Sequence, residues 1–400
     1  QFAVIGTGLA LAGFVVQWRE WGRQVAACLT VVFAMPTLVL LLLLNFDYDS
    51  LSKHVFHVYP LPAYGVAALW MGLGFGWVAC KLKLRPAYAT GAALALVAAI
   101  LALGSRSNFL ADYDWAARYA KAVLRTLPKD ATVFVRGDPD LNPIAYFHMI
   151  EGWRPDITLY QPGGLILGNR LFHPLRTDAA TARSLTREHI ERDPNPVVYT
   201  LGPPEDYARR DRWLHTELDR RAPDPRAVVI ELSEEAMQFA EDSLLGFPER
   251  NAYAHYIQGQ LRRHYGELLA GLLVQGSGLR DARMQRHLDL LGNDFYGAIG
   301  LVEGLLRHGK GASGEAVHYL KRARERIPSD ASKHYQARFF ELRAYVRLEG
   351  GDRAGSLRDL ETAVRLWPIR ENRAVVALED LYRQAGNQAA LGAMRASLRR

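Results

Sequence analysis

Residues 137–160 read "GDPDLNPIAYFHMIEGWRPDITLY", and the reading of this stretch decides the fold of what surrounds it. Just before it, "ATVFVRG" (131–137) is rich in β-branched residues and ends on glycine, the pattern of a strand. Within it, "NPIAYFHMIEG" makes a short helix. Asp140 is placed to cap that helix, Pro143 falls in its first turn, where a missing N–H is harmless, and Gly152 suits the position just past its end. "DITLY" (156–160) is the next strand. Upstream, "DYDWAARYAKAVLRTL" (112–127) sets Trp115, Tyr119, Val123 and Leu127 at helical spacing. Helix, strand, helix, strand is the order of an α/β layer and predicts parallel pairing.

The stretch is also dense in polar side chains. Asp138, Asp140, Tyr146, Glu151 and Arg154 are its candidate substrate-binding residues, because ligands settle at the carboxyl ends of strands in such layers and Asp138 stands at one. The competing reading is turn chemistry, in which Asp138 closes a strand, Asp140 caps a helix and Asp156 leads into the next strand.

Farther on, "DAATARSLTREHIERD" (178–193) reads as a helix, and "PVVYTL" (196–201) and "PRAVVIEL" (225–232) as strands, so the layer closes near Ser233. Gly163-Gly164 looks like part of a phosphate loop, but neither GxGxxG nor a P-loop lysine follows. From Glu234 the pattern is helical to the end. Laid on itself, the chain pairs "AVHYLKRARERIP" (316–328) with "SLRDLETAVRLWP" (356–368), matching Leu320 with Leu360, Ala323 with Ala363 and Pro328 with Pro368. "GGDRAGS" and "AGNQAAL" mark turns between paired helices. These features resemble tetratricopeptide repeats, degenerate and about three in number. Stacked helix pairs of that kind form a groove suited to a protein partner; the alternative is a purely structural cap on the α/β domain.

Residues 1–104 differ in kind. Uncharged or nearly uncharged runs near 2–16, 25–44, 61–80 and 87–103 approach the about 20 residues needed to cross a bilayer. Arg19 and Arg23 in the first connection, and Lys81, Lys83 and Arg85 in the third, place those on the cytoplasmic side and residues 105–400 outside. The second connection then exposes Asp47, Asp49, His54 and His57, further candidates for binding a polar head group or metal, though a solvated loop explains them as well. The chain opens without Met and reads as the C-terminal part of a longer protein. Its net charge of +7 is spread, with no Lys/Arg block, which argues against nucleic acid. The two cysteines, Cys28 and Cys80, both lie in the apolar part, so the rest has no disulfide framework or zinc motif. No soluble cofactor is evident, and no ligand spacing supports a divalent metal. The expected fold class is therefore a membrane α-helical bundle of three or four transmembrane helices (1–104), an extracytoplasmic α/β domain (105–233), and an α-helical, tetratricopeptide-like repeat solenoid (234–400).

Two segments carry a family resemblance. "HVYPLPAYGVAALWMGLGFGW" (57–77) resembles a late membrane segment of the bacterial domain-of-unknown-function 2723 family. "LPKDATVFVRGDPDLNPIAYFHMIEGWRPDITLY" (127–160) resembles the segment after that family's last spans, on Gly137, Asp138, Tyr146, Glu151, Gly152, Arg154, Pro155 and Asp156. Pro139 departs from the family's Gly-Asp-Asn-Asp pattern, standing where it has Asn. The family is similar to protein O-mannosyltransferases and other GT-C glycosyltransferases. The resemblance implies a multi-pass protein of the bacterial inner membrane that moves a sugar from a polyprenyl-phosphate donor to an extracytoplasmic protein or glycan acceptor. It also implies a catalytic carboxylate upstream of Gln1, outside these residues. The alternative is a non-enzymatic, membrane-anchored repeat scaffold for envelope assembly.

Overall fold

The structure is a computed structural model. It describes residues 3–39, 42, 61–108, 114–135, 137–161, 167–200, 202–245, 252–276, 282–309, 313–329, 331–370 and 372–398. The chain divides into two compact units, residues 1–112 with 250–253, and residues 113–249 with 254–400.

The first unit is helical: α1 (Ala3–Glu20), α2 (Arg23–Ala34) running into a π-helical turn (Met35–Val39), α3 (Leu61–Lys81) and α4 (Pro86–Asn108). α1 and α3 pack backbone to backbone. A Cβ on Gly13 would stand 1.7 Å from the Trp70 carbonyl oxygen, and one on Gly74 would stand 2.0 Å from that of Leu9. Gln17, fully buried, joins three helices by accepting from Trp70 Nε1 at 2.6 Å and donating to the Ala26 carbonyl at 3.2 Å.

The expected bundle of three or four membrane-spanning helices is not what the chain forms. Among the described residues one helix, α3, is long and apolar enough to cross a membrane. In α1, an 18-residue helix, Gln17, Arg19 and Glu20 limit the apolar part. Pro36 lacks an N–H, and α2 passes there into a π turn (Met35–Val39). Among the described residues the remaining apolar stretches, Arg23–Val39 and Pro86–Ala99, fall short of the run of about 20 residues that a span needs. Asp47, Asp49, His54 and His57 lie outside the described residues.

The second unit begins with α5 (Trp115–Thr126), β1 (Thr132–Phe134), α6 (Asp138–Ala145) with a π-helical turn (Tyr146–Ile150), β2 (Thr158–Tyr160), α7 (Ala179–Arg192) and β3 (Val197–Tyr199). Then come β4 (Ala208–Asp211), β5 (Thr216–Asp219) and β6 (Val228–Ile230). The sheet order is β2-β1-β3-β5-β4-β6. β1 pairs in parallel with β2 and β3, and β4 with β6, but β5 runs antiparallel to both β3 and β4. The sheet is thus mixed, not parallel throughout. The hairpin responsible reads "ARRD" and "TELD", whose charges hide the strand pattern. Its turn is held by the buried Trp213 (φ +66°), which stacks on Tyr265 at 4.2 Å.

Helices complete the unit: α8 (Glu234–Ser243), α9 (Ala252–Val274), α10 (Ala282–Gly292), α11 (Phe295–Arg307), α12 (Gly314–Glu325), α13 (Lys333–Glu349), α14 (Arg353–Leu366), α15 (Arg373–Gln384) and α16 (Gln388–Ser397). Seven of these starts are capped by side chains: Ser233, Asp294, Ser313, Ser332, Asp352, Asn372 and Asn387 each accept from a backbone N–H in the first turn. The self-aligned positions Leu320 and Leu360, and Ala323 and Ala363, are all buried. One continuous core runs from Trp115 in α5 to Val346 in α13, so sheet and helices share an interior. A second core, from Ala337 to Met394, serves the last helices.

Side chains alternate across the parallel strands, as the two-residue period requires. Val133, Val135, Leu159 and Val198 face the core shared with α5 and α6, whereas Phe134, Val197 and Tyr199 pack with Ile190 of α7. The layer therefore has helices on both faces.

Candidate functional site

The stretch that looks like an active centre on paper is occupied with holding the chain together. Arg154, at φ +53°, donates to the carbonyls of Leu124, Leu127 and Pro128 at 2.6–2.9 Å and grips both oxygens of Asp156 at 2.8 Å. It thereby satisfies the orphan carbonyls at the end of α5. Asp156 also accepts from the Asp130 N–H at 3.1 Å, and the Arg154 guanidinium beside it holds its carboxyl well below the usual carboxylate range. Arg220 does the same for α7, donating to the carbonyls of Ile190 and Asn195 at 2.7 and 2.8 Å, and to that of Asp193.

Tyr146 donates to Glu151 at 2.7 Å, and both are exposed. Asp138 is the exposed first residue of α6, where its charge suits the helix dipole. The residue capping α6 is Gly137, at φ +83°, not Asp140. Gly152, at φ +69°, ends the π turn as its position implies.

Asp140 is buried one turn in, where the Tyr119 hydroxyl donates to its Oδ1 at 2.9 Å. Burial raises its pKa to about 6, against the charge-favouring bond from Tyr119. The folded state therefore holds a proton that the unfolded chain releases nearer 3.8, and stability falls as pH rises between the two values. Asp140→Asn is expected to raise the unfolding free energy at pH 7 by about 2 kcal/mol and to flatten its slope between pH 4 and 6. Thermal unfolding across that range checks this, and an unchanged slope would refute it.

The concave site of the layer lies elsewhere. The chain leaves β1 for β2 on one side and returns to β3 on the other, so connections diverge between β1 and β3. Beyond the carboxyl ends of neighbouring strands with such divergence, open α/β sheets form a crevice. A cavity of about 500 Å³ opens there. Phe134 and Tyr199 wall it with rings stacked at 4.7 Å and 11°. Gly137 and Gly202, both at positive φ, carry the chain away from the ends of β1 and β3 at its edge. α7 supplies the facing wall from one stripe, Arg183, Thr186, Arg187 and Ile190, at helical spacing. Of the residues singled out in 137–160 as a signature, Gly137 alone lines the cavity; the five polar candidates do not.

No family model and no solved structure matches this chain. The chemistry of the cavity must be read from its own walls. Arg187 pairs with Asp206 across the mouth, tying α7 to the segment after β3. Arg183, exposed on the same stripe, makes no hydrogen bond or ion pair among the described residues. Tyr199 is 7 % exposed, and its hydroxyl has no hydrogen-bond partner among the described residues. A buried hydroxyl without a partner costs about 1–3 kcal/mol, so a ligand atom that reached it would supply a bond that the described residues do not. Burial and the neighbouring Tyr207 keep its pKa above the ordinary tyrosine value, so it is a neutral donor at physiological pH. The cavity thus offers aromatic and apolar walls, a buried donor and an unpaired guanidinium, a combination suited to a ring-containing small molecule with an anionic end. Among the described residues no group of three or more His, Cys, Asp or Glu side chains is placed to hold a metal ion.

The signal for this site was present in the sequence as the Arg183–Ile190 stripe and the aromatic strand ends. It reads as an ordinary amphipathic helix until the sheet order is known.

Proposed function

We propose that the second unit binds a sugar phosphate in the cavity between β1 and β3 and that this binding serves glycosyl transfer from a polyprenyl-phosphate donor, the activity implied by the resemblance of residues 57–77 and 127–160. Membrane attachment through α3 belongs to the same reading. The observation that carries it is the unpartnered Tyr199 hydroxyl at a cavity whose rim holds the unpaired Arg183. The aromatic wall of Phe134 and Tyr199 accepts the ring, Tyr199 donates to a ring oxygen or hydroxyl, and Arg183 takes the phosphate. Bonds to a charged group contribute about 1.5–3 kcal/mol each.

The test is calorimetric binding of glucose 1-phosphate and mannose 1-phosphate by the full chain. Arg183→Ala is expected to weaken binding about tenfold or more. Tyr199→Phe is expected to weaken it several-fold while leaving the ligand-free protein as stable as before or more so, because no protein bond is lost. A chain that binds neither sugar phosphate, or a Tyr199→Phe protein that is destabilised without ligand, would overturn the assignment. In the first case the paired helices α11–α16 favour the scaffold reading instead. Transfer of sugar from polyprenyl-phosphate sugar by membranes bearing the protein tests the enzymatic part separately.

A further inference from the structure

A second cavity, of about 300 Å³, lies among α9, α11, α13 and the turn between α14 and α15, apart from the β1–β3 site. Its walls carry four guanidinium groups, Arg263, Arg307, Arg338 and Arg373, against two carboxylates, Glu303 and Glu341. The pairing leaves a remainder. Glu303, buried, accepts from Arg263 and Arg338 at 2.6 Å each. Arg338 also reaches Glu341 at 2.6 Å, and Arg307 pairs with Glu267 outside the cavity. Four cations thus meet three carboxylates, and Arg373, exposed at the start of α15, makes no hydrogen bond or ion pair among the described residues.

The arrangement is built rather than incidental. Glu303 and Glu341 hold two of the guanidinium groups in place, so their field is fixed before any ligand arrives. Trp367 gives the cavity an apolar wall, and the His334 ring stands against it at 5.4 Å. His334 registers the field. Partial burial and the neighbouring Arg263 and Arg338 hold its pKa below the ordinary imidazole value, against Glu341 and Glu303, which act the other way.

We propose that this cavity is an oxyanion site, taking a carboxylate or phosphate group of an acidic ligand between Arg373 and the Arg263–Glu303–Arg338 platform. Guanidinium groups suit such ligands because their forked donors match the spacing of carboxylate and phosphate oxygens. The apolar wall at Trp367 then meets whatever adjoins the anionic group.

The experiment follows the His334 imidazole by NMR in the full chain with labelled histidine, assigned through His334→Gln. Inorganic phosphate and a short peptide ending in two glutamates are titrated separately. Occupancy brings a negative charge beside the ring and is expected to raise the His334 pKa, saturably, by about half a unit or more. Arg373→Gln is expected to weaken the apparent affinity about fivefold or more, whereas Arg370→Gln, an exposed arginine in the adjoining turn outside the cavity, leaves it unchanged. Tighter binding of the peptide would identify an acidic polypeptide as the source of the group; tighter binding of phosphate would identify a small phosphorylated ligand. If neither probe produces a saturable shift, or if both arginine variants weaken it equally, the effect is absent or is general screening, and the proposal fails.

Discussion

Glu303→Gln is expected to lower the unfolding free energy by about 3–5 kcal/mol, the cost of removing one partner from a buried ion pair. The carboxylate is 5 % exposed and stands between Arg263 and Arg338, accepting a 2.6 Å bond from each. An amide of the same shape keeps one acceptor but turns donors toward a guanidinium and removes the charge that separates two cations. pH supplies the internal control. Burial opposes the charged form of Glu303, but Arg263 and Arg338 outweigh it and hold its pKa below the usual carboxylate value of 4.5. A depressed acid contributes stability above its unfolded pKa and loses it as pH falls through its folded one. Wild type and variant should therefore differ most at neutral pH and begin to converge as pH falls below the unfolded value of 4.5. Urea unfolding at several pH values measures both effects, and equal stability at pH 7 would refute them.

Gly300→Ala is expected to cost about 3 kcal/mol or more, the upper end of what overpacking does. A Cβ at this position would stand 1.8 Å from the Arg263 carbonyl oxygen, 2.6 Å from its carbon and 2.8 Å from its Cα. These are backbone atoms of α9, so no side chain can swing aside. Neighbouring contacts block a compensating slide: a Cβ on Gly304 would meet the Glu267 carbonyl oxygen at 2.5 Å, and one on Gly266 that of Gly297 at 2.6 Å. The two helices must separate, reopening a core that includes Leu268, Leu269, Leu301 and Val302. Thermal unfolding of Gly300→Ala beside Gly314→Ala, whose Cβ meets nothing within 4 Å, distinguishes backbone contact from the general effect of replacing a helical glycine.

Much of the layer was legible because short-range chemistry wrote it. Runs rich in β-branched residues marked β1, β2, β3 and β6, and the apolar spacing of Trp115, Tyr119 and Val123 marked α5. β4 and β5 were not legible. Their side chains are mostly charged, and the feature that fixes their hairpin is Trp213 inserted beside Tyr265, a contact set by residues far away in sequence. The membrane bundle was over-read because absence of charge was counted, whereas among the described residues only α3 is both long and apolar enough to cross a membrane. The polar candidates of 137–160 were read by density. Arg154 and Asp156 prove to be answers to the backbone's need for partners at a helix end. The cavity residues Tyr199, Arg183 and Arg187 lie far from that stretch in sequence, and only the strand order brings them to Gly137.

α13 is the party wall of the second unit. Phe339, Leu342 and Val346 on it belong to the larger core, and Ala337 and Ala344 to the smaller. Arg343 and Arg347, both bonded to Asp359, fasten it to α14. A helix built into two interiors cannot rotate to relieve one without disturbing the other, so a load placed on it at His334, Arg338 or Glu341 is felt on both sides. The cavity along that helix is therefore seated where a bound anionic group acts on a wall shared by both cores.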